Sequence, residues 1–196
     1  MPGTLKLQSA PALHGLASSS GSYGSPVLRM ALVLMFFLGA VGIVAAAESI
    51  RPFTSGSLEQ VLASRPNKPF ILVLWSLDCQ YCPTELKMLS ELEKSHPGLD
   101  VVLIATDTID DMPQLADRAA NYGTAKFEQW VFAEDMPERL RQEIDGRWYG
   151  EVPRTYFYDQ KHQRTVRMGL INKSLVEEWL ARNTVDTANG KQNGKH

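Results

Sequence analysis

Apolar runs and amphipathic stretches follow one another from position 51 onward, and their periods name the elements. Phe70-Ile71-Leu72-Val73-Leu74-Trp75 is near-continuously apolar, the pattern of a strand buried on both faces. Beyond it Leu86, Leu89 and Leu92 recur three apart with Met88 beside them, while Glu85, Lys87, Glu91, Glu93 and Lys94 mark the wetter side of a helix. Pro83 falls in its first turn, and His96-Pro97-Gly98 stops it. Asp100–Asp107 reads as a second buried strand, so the spacing implies a parallel β-α-β crossover.

A helix from about Met112 to Tyr122, ended by Gly123, leads to a strand centred on Trp130-Val131-Phe132. Met136–Ile144 is a short helix with Pro137 in its first turn, and Tyr156-Phe157-Tyr158 is a strand. The polar stretch Asp159–Gln163 makes a hairpin to Arg164–Leu170, which alternates like an edge or near-edge strand. Ser174 is placed to cap a last amphipathic helix through about Arg182. Upstream, Arg51–Thr54 is a linker or edge strand, and Ser57-x-x-Gln60 is a capping box opening a short helix that Pro66-Asn67-Lys68-Pro69 ends. No internal repeat is found. The order predicts an α/β fold with a mixed sheet flanked by helices.

The two ends differ from this pattern. Residues 1–26 are rich in Ser, Gly, Pro and Ala, residues 184–196 are polar with little to bury, and both read as disordered. Residues 48–183 remain as one domain. Met30–Ala47 carries no charge, with Arg29 before it and Glu48 after it. It just reaches the length of a membrane span and ends in Ala45-Ala46-Ala47, a site a signal peptidase would cut. Residues 27–47 are therefore a membrane anchor or a signal peptide. The long leader before Arg29 suits neither device, and a start nearer Leu28 or Met30 would remove it. Either device places the domain in a bacterial periplasm, anchored to the inner membrane or soluble after cleavage following Ala47. All 22 acidic residues follow that stretch and no Lys/Arg cluster appears, which excludes a nucleic-acid partner of the phosphate-backbone type.

Cys79 and Cys82 are the only cysteines, and they sit between the first buried strand and its helix. Strand, turn, Cys-x-x-Cys, helix is the order that thiol–disulfide chemistry needs, because the free N–H groups at a helix start face the first sulfur. Export makes structural disulfides common, yet a bridge across so short a loop would staple little. Two thiols also lack the four ligands of a structural zinc site. His14, His96, His162 and His196 fall in the leader, a helix end, the hairpin loop and the tail. No metal or other cofactor is expected.

The series Trp75-Ser76-Leu77-Asp78-Cys79-Gln80-Tyr81-Cys82, with Glu85 three residues on, resembles the W-x-x-x-C-x-x-C of exported TlpA-like members of the thioredoxin-like superfamily. Residues 111–133 are similar to the helix and strand that this branch inserts mid-fold, and Val152-Pro153 with Thr155 is similar to its cis-proline loop. The resemblance covers about residues 50–183. It implies a thioredoxin fold with a central helix-strand insertion, Cys79 as attacking thiol, Cys82 as resolving thiol, Glu85 as proton acceptor or relay, and a cis bond before Pro153. It also implies a disulfide-containing exported protein as substrate and a membrane electron donor for re-reduction.

Three positions depart from the pattern. Asp78 precedes the first cysteine, Val73 stands where cytosolic thioredoxins carry a buried aspartate, and Gln80-Tyr81 is neither Gly-Pro nor Pro-His. A reductase is favoured over an oxidase because Asp78 opposes the thiolate. The alternative is a thioredoxin-like copper-binding module. Trp148-Tyr149 form a docking face or join the core, and Trp130 and Trp179 are core residues.

Overall fold

The computed structural model describes residues 50–190; the leader, the apolar stretch 27–47 and residues 191–196 lie outside them. Six strands form one sheet: β1 (Arg51–Phe53), β2 (Phe70–Trp75), β3 (Val101–Ala105), β4 (Glu128–Phe132), β5 (Arg154–Tyr158) and β6 (Arg164–Met168), in the spatial order β1-β4-β3-β2-β5-β6. β1, β4, β3 and β2 run parallel, while β5 and β6 are antiparallel to their neighbours. Five helices accompany them: α1 (Ser57–Ala63), α2 (Cys82–Ser95), α3 (Met112–Tyr122), α4 (Pro137–Ile144) and α5 (Lys173–Gly190). The α/β class and mixed sheet are as the sequence predicts. The expected helix-strand insertion is α3 and β4, with β4 seated between β1 and β3.

The buried run of β2 has the cause inferred for it, since every residue of the strand is buried. Ile71, Val73 and Trp75 face Leu86, Leu89 and Leu92 of α2, with Leu115 of α3 and Val176 and Trp179 of α5 in the same cluster. Phe70, Leu72 and Leu74 face the other way, toward Leu58 and Val61 of α1 and Leu140 and Ile144 of α4. Trp130 and Trp179 are core residues, as expected. Helix α3 stops at Gly123, whose φ of 72° suits a residue without Cβ. A Cβ there would also stand 2.7 Å from the Ser90 hydroxyl oxygen.

Local signals misled at three points. Ser57 lies inside α1 and does not cap it: Gly56 is the cap residue, and the Ser57 hydroxyl accepts the N–H of Thr54 at 2.9 Å. Asn172, not Ser174, caps α5, its side-chain oxygen accepting the Leu175 N–H at 3.0 Å. That helix continues past Arg182 to Gly190, covering part of the stretch read as a disordered tail. Among the described residues no helix is long and apolar enough to cross a membrane.

Candidate active site

The β2 strand ends at Trp75, and four residues later the chain reaches Cys79. Leu77, in the turn between them, donates its backbone N–H to both carboxylate oxygens of Asp107, at 3.1 and 3.2 Å. Asp107 follows β3, which pairs with β2 through Trp75 and Ala105, so one side chain ties the approach to the cysteines to the neighbouring strand. Burial pushes the Asp107 carboxyl up; the Leu77 N–H opposes this, and the negative Asp111 and Asp78 add to the rise.

Cys79 and Cys82 are bonded to each other, their Cα atoms 5.4 Å apart. Cys82 is the first residue of α2, and its N–H points at the Cys79 sulfur at 3.1 Å. The helix start therefore supplies a donor where a thiolate on Cys79 would carry its charge. Cys79 is 8% exposed and Cys82 1%, so the first cysteine is the more exposed residue. Gln80 and Tyr81 are exposed between them.

One turn further along α2, Glu85 is fully buried at 0% exposure. The helix pattern put it on the wetter side with Lys87 and Glu91, and the structure corrects that placement. The Thr155 hydroxyl donates to one carboxylate oxygen at 2.5 Å, and the Ile171 N–H donates to the other at 3.1 Å. Both donors are uncharged. Burial raises the Glu85 pKa, with the Thr155 and Ile171 bonds opposing. Residues three apart on a helix are neighbours, so this protonatable group lies beside Cys82.

The Val152-Pro153 peptide bond is cis. Val152 packs against the apolar cluster that contains both cysteines, and Gly169 donates its N–H to the Pro153 carbonyl at 2.9 Å. β5 pairs with β2 so that Arg154 stands opposite Leu74, which sets Pro153 at the strand end from which the cysteine turn departs. The four residues singled out in the sequence, Cys79, Cys82, Glu85 and Pro153, thus gather at one end of the sheet.

No family model matches the chain, and no curated protein is similar to it. Solved structures are similar. A thiol:disulfide interchange protein of the thioredoxin family from Chlorobium tepidum TLS superposes with a TM-score of 0.50 at 21% identity, covering 62% of this chain and 83% of that one. A DsbF homologue from Corynebacterium diphtheriae gives 0.50 at 20% identity, covering 62% and 75%. A secreted Mycobacterium tuberculosis disulfide oxidoreductase, described as homologous to E. coli DsbE, gives 0.49 at 21%, covering 61% and 85%. The chain has the thioredoxin fold.

Val73 pairs directly with Thr155, and Thr155 holds Glu85. The buried Glu85 carboxyl of α2 therefore bonds the residue opposite Val73 in the sheet. Thr155 and Asp107 take part in the site without having been singled out for it. A threonine after the proline loop and an aspartate at a strand end were the signals, but only the pairing register shows what each one holds. Trp148 and Tyr149 divide: the first is core at 4% exposure and the second is 86% exposed. Among the described residues no group of three or more His, Cys, Asp or Glu side chains is arranged to hold a metal ion.

Proposed function

We propose that this protein is an exported thiol–disulfide oxidoreductase that reduces disulfides in periplasmic proteins. The observation that carries the reading is the Cys79–Cys82 disulfide at the start of α2, with the Cys82 N–H directed at the sulfur of the more exposed cysteine. In the reduced protein the Cys79 thiolate attacks one sulfur of the substrate disulfide, displacing the other as a thiolate and forming a mixed disulfide. Cys82 then attacks the Cys79 sulfur. The substrate leaves with two electrons and takes up two protons, and the protein is left oxidised.

Cys82 must lose its proton for the second attack, and Glu85 is the group placed to accept it. Its buried carboxyl has only neutral donors, so it can change protonation without breaking an ion pair. Pro153, just before β5, closes the site from across the chain. With a single cysteine pair the protein needs an outside dithiol donor, for which a membrane reductant is the natural source given the apolar stretch Met30–Ala47.

Negative charge supports the reducing direction. Asp78 precedes Cys79, and Asp78 and Asp111 both act on the Asp107 carboxylate that holds the Leu77 N–H. A thiolate beside Asp78 is less stabilised, which makes the reduced pair the stronger electron donor.

The test is direct. Full-length protein, reduced beforehand, should reduce an accessible protein disulfide, and Cys79→Ser should abolish the reaction; full activity in that variant would sink the proposal. The potential of the pair should fall near that of thioredoxin, about −270 mV, whereas a value near about −120 mV would reverse the direction.

A further inference from the structure

The loop between α4 and β5, residues 145–153, is closed at its base by a buried ion pair. Asp145 is 5% and Arg154 4% exposed, and the guanidinium donates to the carboxylate at 2.8 Å. The Tyr156 hydroxyl completes the triangle, accepting from Arg154 Nε at 2.7 Å and lying 3.2 Å from the same Asp145 oxygen. Inside the loop Trp148 is buried edge-on to Phe132, and its indole N–H donates to the Glu151 carbonyl at 2.9 Å. Gly150 takes φ 106°, a backbone that glycine adopts without strain. The loop is pinned at its base and filled in its middle. The side chains that it holds out include Arg147, 90% exposed, and Tyr149, 86% exposed and four residues before Pro153.

Tyr149 belongs to a wider pattern. The exposed large apolar side chains among the described residues are Tyr81, Ile109, Met136, Tyr149, Met168 and Leu170. Tyr81 follows β2, Ile109 follows β3, Met136 follows β4, Tyr149 precedes β5, and Met168 and Leu170 stand at the end of β6. Given the strand directions, all of these lie at the one end of the sheet that bears the cysteines. The same end carries Asp78, Asp107, Asp110, Asp111, Glu134 and Asp135 in the turns after β2, β3 and β4. The acidic turns flank the rim on the side of β2, β3 and β4, while the exposed Arg147 and Arg167 lie on the side of β5 and β6. The surface therefore fits a chain segment with apolar side chains toward Tyr149 and cationic ones toward the acidic turns, and those turns disfavour a small anionic disulfide such as oxidised glutathione.

We propose that Tyr149 is a specificity-determining contact for an extended polypeptide disulfide bearing apolar and cationic residues, displayed on a loop that the Asp145–Arg154 pair holds shut. This rests on the oxidoreductase reading above and adds the substrate's chemistry to it. A pre-ordered aromatic gives contact area without the entropy of fixing a loose loop, which is how exposed tyrosines become dominant contacts.

The experiment uses reduced full-length protein in single turnover against two probes: a synthetic peptide disulfide with leucine and lysine beside its cystine, and oxidised glutathione. For Tyr149→Ala the half-saturating peptide concentration should rise about tenfold, the range expected when a dominant contact is truncated, with the limiting rate within about twofold. The peptide-to-glutathione ratio of rate constants should fall accordingly, and Tyr149→Phe, which keeps the ring, should restore it. An unchanged peptide curve in Tyr149→Ala overturns the inference and leaves the oxidoreductase reading standing. So does an equal loss on both probes, which would mean a structural role. Wild-type protein that exchanges with neither probe overturns both.

Discussion

β5 separates two buried carboxyls, one on each face of the sheet, and their surroundings could hardly differ more. On the face of Thr155 and the cysteines lies Glu85, bonded to a hydroxyl and a backbone N–H and to no cation that perturbs it. On the face of Arg154 and Tyr156 lies Asp145, bonded to a guanidinium. Burial raises the Glu85 pKa. For Asp145 burial acts in the same direction but is outweighed by Arg154, the Arg147 N–H, Arg164 and Tyr156, so its pKa is lowered. Burial pushes the Tyr156 phenol up to about 12, keeping it a protonated partner in that triangle. The first arrangement can exchange a proton; the second holds a fixed charge and fixes a loop. A buried acid is thus a proton site or a clamp according to its partner, not its depth.

Breaking the clamp should have the largest effect. Arg154→Met takes from the buried Asp145 its closest cation and leaves it Arg164 at 3.8 Å, the Arg147 N–H and the Tyr156 hydroxyl. The cost should therefore approach the lower end of the about 3–5 kcal/mol that a fully unpaired buried charge loses. Chemical denaturation should read that loss, and adding Asp145→Leu to the same chain should recover part of it. A double variant as unstable as the worse single one would deny that the pair acts as a unit.

Next comes the neutral side of the comparison. Thr155→Val removes the hydroxyl that donates to Glu85, and a buried acceptor left short of a donor costs about 1–3 kcal/mol. The same change removes an influence that lowers the Glu85 pKa, so that pKa should rise further. A fall would show that the hydroxyl does not act as a donor to the carboxylate.

The two carboxyls also predict opposite pH signs. A raised folded-state pKa means that the folded protein binds the Glu85 proton more tightly than the unfolded chain does. Stability then falls as pH rises from the ordinary glutamate range through the raised value. Glu85→Gln should flatten that part of the profile. Asp145, with its pKa lowered, contributes stability above the ordinary aspartate range that is lost as pH falls through its folded value, and Asp145→Asn should remove that acid-side loss. Denaturation midpoints measured across pH for the two variants would separate the slopes, and slopes of equal sign would break the comparison. At the small end, Lys94→Ala breaks only the exposed Lys94–Glu91 pair and should cost about 0.5 kcal/mol or less.

What the sequence disclosed follows the range of the interactions involved. β2, the turn with its two cysteines and the Gly123 stop are local patterns, and they were legible. The proline loop was legible through resemblance. Glu85 was misplaced because a glutamate among helix-face charges is usually wet, and its two donors lie 70 and 86 residues further along the chain. Arg154 opens a strand whose remaining residues are apolar or aromatic apart from Thr155, and no periodicity says that a guanidinium there will be buried. Its partner Asp145 sits at a helix end, where an aspartate ordinarily meets water. The alternation of Arg164–Leu170 reads as an edge or near-edge strand, and β6 is the outer strand, mostly exposed with Val166 packed against the core.

The central claim is that Glu85 is the proton site of the cysteine pair, and a carbon-13 NMR titration of its carboxyl in the oxidised and reduced protein tests it most directly. The midpoint in the oxidised protein should lie above the ordinary glutamate value of about 4.3. It should move higher on reduction, when a thiol or thiolate replaces the disulfide one helical turn away. A midpoint at or below that ordinary value, unmoved by the state of Cys79 and Cys82, would contradict the account and leave Glu85 a structural carboxyl.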